Sequence, residues 1–160
     1  MSTNKTGDFS LVNIGLLVTN DSQLGNGPLG LVENAAVSVV DGKIAWIGNS
    51  NSADKSLPTV NANSQCVIPG FVDSHSHIIF AGDRSAEFAA RMAGVPYSAG
   101  GIKVTTAATR SASSAQLKDN ARRLIAEMQE SGTTTIEIKS GYGLDVETEE
   151  RSVKVAAELT

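Results

Sequence analysis

The sequence predicts an α/β protein in two parts, the N-terminal part of a small β module over residues 1–68 and the first part of a (β/α) barrel over residues 69–160. Three observations carry this. Before Cys66, short apolar runs are broken by turn residues. After it, strand-like and helix-like stretches alternate. The stretch 133–139 then splits into one apolar and one ionisable face, as a barrel strand does.

In the β module the runs 11–18, 35–40 and 44–47 read as strands. Asp41-Gly42 joins the last two as a type I′ hairpin, a turn in which both central residues need positive φ. Residues 49–63, rich in Asn, Ser, Ala and Asp, read as a polar loop bordering the domain. Beyond Pro69 a short helix is expected at 85–93, stopped by Gly94-Val95-Pro96, while 105–114 fits helix or loop. Residues 116–131 put Leu117, Ala121, Leu124, Ile125 and Met128 on one helical face, with Ser113 and Gln116 as a capping box and Gly132 at the C-terminal end. In 133–139, Thr134, Ile136 and Ile138 share one face, and Thr135, Glu137 and Lys139 share the other. The second face would point into the barrel, which makes Glu137 and Lys139 a candidate buried ion pair. Thr160 is expected inside a further helix.

Composition narrows the function. A net charge of −4 with no Lys/Arg cluster longer than Arg122-Arg123 argues against a nucleic acid partner. No stretch approaches the roughly 20 apolar residues of a membrane span, and residues 1–10 lack the apolar segment of a secretory leader. Neither nucleic acid nor membrane is therefore an expected partner. The lone Cys66 cannot form an internal disulfide, which fits a cytoplasmic location.

The strongest chemical signal is Pro69-Gly70-Phe71-Val72-Asp73-Ser74-His75-Ser76-His77. Side chains two apart on a strand share a face, so His75 and His77 project together, with Asp73 beside them. Two neutral imidazoles held at fixed separation suit one divalent metal, zinc or iron. A bare His-x-His is more often a pair of exposed or hydrogen-bonded rings. Its context reverses that order.

The Pro-Gly-Phe-Val-Asp-x-His-x-His run, preceded by Asp41-Gly42-Lys43-Ile44, resembles the amidohydrolase superfamily. Phe80 to Arg84, Glu87-Phe88, Gly94 to Tyr97, Ala99 to Ile102 and Glu137 to Leu144 make it similar to the imidazolonepropionase family in particular, from Leu11 onward. One departure is Ser76, where the family usually has Thr; this side chain faces away from the proposed metal. The resemblance implies a TIM-like (β/α)8 metal-dependent hydrolase barrel preceded by a small β-sandwich module. With about 250 residues needed for such a barrel, the 160-residue chain would be truncated after about two βα units. It implies hydrolysis of the cyclic amide bond of 4-imidazolone-5-propanoate to N-formimidoyl-L-glutamate in histidine degradation, and a homodimer when full length. His75 and His77 would bind the metal, Arg84 the substrate's propionate, and Tyr142 the imidazolone, with Tyr97 a further substrate contact. The remaining ligands and the acid/base carboxylate are expected beyond Thr160, so the chain alone would be inactive.

From the residues themselves, Arg84 can accept a carboxylate through two parallel hydrogen bonds, or form a surface salt bridge. Tyr142, between Gly141 and Gly143, lies in a loop directly after a strand, as a substrate contact or as a structural tyrosine. Two other readings stand beside this one: part of a sibling amidohydrolase, such as a deaminase or cyclic amidase, and a non-enzymatic gene fragment.

Overall fold

The computed structural model describes residues 7–94 and 101–159. By its internal contacts the chain divides into two compact units, Met1–Pro69 and Gly70–Thr160.

The first unit contains β1 (Phe9–Val18), β2 (Leu31–Val40), β3 (Lys43–Asn49), β4 (Thr59–Asn61) and β5 (Cys66–Val67). They form one sheet in the order β3-β2-β1-β4, with β5 also paired to β1. The β2–β3 hairpin turns at Asp41 (φ 51°) and Gly42 (φ 71°), the two positive dihedrals that a type I′ turn demands. The expected polar loop at 49–63 is partly ordered: it holds a single 3₁₀ turn, Ser50–Ser52, and the three-residue β4, parallel to β1. β4 has no apolar alternation to reveal it, because all three of its residues are exposed. It is tied down instead by flanking backbone bonds, Ser10 N–H to Pro58 C=O and Ala62 N–H to Val12 C=O, both 2.8 Å. Ile14, Leu17, Ala35, Val37 and Ala62 are buried as this unit's core. A second, facing sheet is not among its described residues, so the sandwich expectation is met only as far as a β module.

The second unit runs β6 (Phe71–Ser76), α1 (Ser85–Met92), α2 (Gly101–Ser111), α3 (Ser114–Glu130), β7 (Thr133–Ile138) and α4 (Val146–Ala157). β6 and β7 pair in parallel. α3 starts with the expected capping box: Ser113 Oγ accepts from the Gln116 amide, and Gln116 Oε1 accepts from the Ser113 amide. Its stripe packs inward, Leu117 and Ala121 fully buried among Ile78, Ile79, Ala112 and Val155. Ile136 and Ile138 of β7 pack against the same core.

The open stretch after Thr105 belongs to a helix, α2, through Ser111. Its buried face is Thr105, Thr106 and Thr109 rather than aliphatic, so hydrophobic periodicity could not announce it. Thr109 Oγ1 donates to the Thr105 carbonyl at 2.8 Å and accepts the Ala81 amide at 3.1 Å, which satisfies a hydroxyl with no exposure to solvent. α4 ends at Ala157, where the Glu158 and Leu159 amides close a tight last turn on Val155 and Ala156; Thr160, expected inside this helix, lies outside the described residues. Among the described residues no helix is long and apolar enough to cross a membrane.

Candidate metal and substrate site

β6 ends at Ser76, so His75 is a strand residue and His77 the first residue beyond it. The β6–β7 register is irregular between Asp73 and Ser76. There the two imidazoles converge, with Nε2 atoms 3.2 Å apart and ring centroids 5.2 Å apart. Either one ring donates to the other or both nitrogens present lone pairs to a common cation. Bonds of about 2.0–2.1 Å from one ion to both nitrogens across 3.2 Å subtend roughly 100–106°, close to the tetrahedral angle of zinc. The pair fits half a metal site. Among the described residues no third His, Cys, Asp or Glu joins it.

Asp73 does not extend toward the rings. Its carboxylate turns back on its own strand, accepting from the Ser76 hydroxyl at 2.5 Å and the His75 amide at 3.0 Å. Those donors, the Ser76 hydroxyl first, hold its pKa below the usual carboxylate range. The irregular strand end is the reason: a strict two-residue repeat would have kept Asp73 and Ser76 on opposite faces. Glu137 and Lys139 form an ion pair, but it is open to solvent in this chain, with Glu137 61% and Lys139 35% exposed. The expected burial is thus absent among the described residues, since β6 alone pairs with β7. The hydrogen bond and charge of Lys139 keep the Glu137 carboxyl below its ordinary pKa.

Tyr142 stands edge-on to both His77 and Phe80, at 5.9 and 5.7 Å between centroids. It lines an open cleft of about 710 Å³ together with Phe80, Arg84, Phe88, Asn120 and Arg123. Arg84 is gripped by Glu87, Nε to Oε2 at 3.0 Å and Nη2 to Oε1 at 2.9 Å. The geometry is the bidentate fork that a ligand carboxylate would also use, here filled by a neighbour three residues on. Tyr97 lies outside the described residues. Sequence reasoning missed the ring partner Phe80 and the role of Gly141. A Cβ built at Gly141 (φ 155°) would stand 2.8 Å from His77 Nδ1, so only glycine lets this backbone lie against the imidazole. Its place beside Tyr142, directly after a strand, was the available signal.

The fold and the paired histidines define a class. The structure is similar to guanine deaminase from E. coli (TM-score 0.60, 13% identity, covering 94% of this chain and 34% of that one). It is likewise similar to a variant of the atrazine chlorohydrolase of Arthrobacter aurescens, solved with zinc and atraton (TM-score 0.58, 18% identity, 94% and 33% covered). The likeness shows a shared α/β fold. No family model matches the chain. Its sequence, however, places it with the imidazolonepropionase family: it is 60% identical to imidazolonepropionase of Mycolicibacterium smegmatis over 148 residues, 92% of this chain and 37% of that protein. The Rhodococcus jostii imidazolonepropionase is 50% identical over 160 residues, covering all of this chain and 39% of its own length. The chain therefore spans about two fifths of the length of these curated relatives.

Proposed function

We propose that this chain supplies one metal-ligand strand and part of the substrate pocket of an enzyme that hydrolyses the cyclic amide C–N bond of 4-imidazolone-5-propanoate to N-formimidoyl-L-glutamate. The observation that carries the reading is the convergence of His75 and His77 beside Tyr142, at a cleft that also holds Arg84. In this reading residues 69–160 open a (β/α)8 barrel, and residues 1–68 belong to a β-sandwich module. Further strands would cover Glu137 and Lys139, and the full-length protein would be a cytoplasmic homodimer. The chemistry of the donor set suits zinc or iron equally.

A divalent ion held by the two imidazoles would supply Lewis acidity to a water and to the ring carbonyl. The chain's own residues bind and orient. Tyr142 and Phe80 present flat faces and edges against which a planar imidazolone can pack. Arg84 meets the propionate by exchanging the Glu87 carboxylate for the substrate's. The carboxylate that moves the proton from water to the leaving nitrogen comes, in this reading, from sequence beyond Thr160.

The test is a hybrid in which the aligned residues of the Mycolicibacterium smegmatis enzyme are replaced by this chain. The hybrid should turn over 4-imidazolone-5-propanoate, and His75→Ala or His77→Ala should abolish both activity and bound metal. Arg84→Ala should raise KM with kcat largely kept, a loss of about 1.5–3 kcal/mol, or on the order of tenfold to a hundredfold in kcat/KM. A folded, metal-loaded hybrid without turnover would overturn the reading.

A further inference from the structure

Gly143, the residue after Tyr142, has both of its backbone polar groups held by charged side chains from two different helices. Its amide donates to Glu149 Oε1 of α4 at 2.8 Å, and the same oxygen accepts the Leu144 amide at 2.8 Å. Its carbonyl accepts from Arg110 Nε of α2 at 2.6 Å. Arg110 also pairs with Asp145 at 2.8 Å, and Asp145 in turn caps α4 by accepting the Thr148 amide at 2.7 Å. Leu144 is bent to φ 56°, a conformation that a side chain adopts only when its surroundings impose it. The space is closed as well: a Cβ at Gly143 would lie 2.6 Å from Thr148 Cβ.

We propose that Arg110 and Glu149 are positioning residues, clamping Gly143 by its carbonyl and its amide so that the Tyr142 ring is held against His77 and Phe80. The clamp deepens the proposed function and rests on its reading of Tyr142 as a substrate contact. Burial alone would push the Glu149 carboxyl up, but hydrogen bonds led by the Leu144 amide outweigh it and hold the group ionised. A charged acceptor for two amides is stronger than a neutral one, which suits a group that must fix a bent loop rather than fill space. Neither residue lines the cleft.

The experiment is NMR on the 160-residue chain, reading nuclear Overhauser contacts from the Tyr142 ring to Phe80 and His77, and solvent exchange of the Gly143 and Leu144 amides. Glu149→Ala and Arg110→Ala should each lose the ring contacts and speed exchange of those amides at least tenfold, while the amide pattern of α3 and of β6–β7 stays unchanged. Glu149→Gln, which keeps an acceptor oxygen, should restore the ring contacts. Ring contacts that survive in both alanine variants would overturn the proposal. So would a general loss of the second unit's amide pattern in Glu149→Gln, which would make Glu149 a support of the whole unit rather than of one loop. No substrate enters this measurement, so an inactive hybrid enzyme would defeat the proposed function and leave the clamp to be decided here.

Discussion

The two units are held together in different ways. In the first, the sheet is a run of backbone pairings, β1 with β2 through a twelve-residue connection and β2 with β3 through a two-residue one. In the second, only β6 and β7 pair among the described residues, 56 residues separate Ser76 from Thr133, and helices carry the packing. Phe71 and Val72 remain 54% and 69% exposed on that two-stranded sheet. Side chains take over work that backbone ladders do in the first unit: Arg151 on the Thr109 carbonyl, Asn120 on the Phe80 carbonyl, Arg110 and Glu149 on Gly143. A fold whose strands are few depends on long-range polar ties, and such ties are sensitive to charge.

The largest effect should come from core truncation, which asks whether the units melt separately. Leu117→Ala and Ile14→Ala each remove a side chain with no exposure and should cost about 2–5 kcal/mol. Trp46 in β3 is the sole tryptophan. Its fluorescence should therefore follow Ile14→Ala in a urea titration, whereas Leu117→Ala should shift only the helical signal at 222 nm. Coincident shifts for both variants would join the units into one cooperative body.

Acid should separate the units further. Eight described carboxylates of the second unit, Asp145, Glu149 and Glu87 among them, have lowered pKa values, against Asp54 alone in the first. A carboxyl whose folded pKa lies below its unfolded value adds stability above the unfolded pKa of about 4 and loses it as pH falls through the folded one. Lowering pH from about 7 toward 2 should thus diminish the 222 nm signal before Trp46 fluorescence changes. Simultaneous loss would remove the electrostatic distinction.

At the site, zinc should bind the chain weakly, since a catalytic ion normally takes three protein ligands. Titration calorimetry should show that binding abolished in His77→Ala, and weakened about fivefold or more in Gly141→Ala, where a Cβ would crowd the imidazole. Undiminished affinity in Gly141→Ala would mean the ring does not need that glycine. The smallest change, Ser113→Ala, removes one half of a capping box and should cost ~1 kcal/mol in the thermal melt of the second unit.

What was legible in the sequence was what is local. The Asp41-Gly42 turn, the Ser113–Gln116 box and the two-residue spacing of the histidines each place their partners within a few residues, and each has a fixed period or dihedral behind it. β4 was illegible because its pairing comes from backbone bonds that any residue could make. α2 was illegible because threonines, not aliphatics, face the interior. At the candidate site the paired rings could be anticipated, whereas the Gly143 clamp joins residues 33 and 6 apart by charge to backbone, a contact without a sequence period. Arg84 was readable as a carboxylate fork or a salt-bridge residue, but not with Glu87 named as the partner it takes.

Thr109 does more than fill space. In a buried helix, valine would keep the shape of threonine and lose its hydroxyl. Here the hydroxyl accepts the amide of Ala81, three residues before Arg84, on a segment distant in sequence. Valine would fill the same volume and strand that amide without a partner, at a cost of about 1–3 kcal/mol. Serine would keep the acceptor and surrender the methyl. Neither substitute reproduces both properties, so position 109 of α2 is confined to threonine by a residue that α2 does not contain.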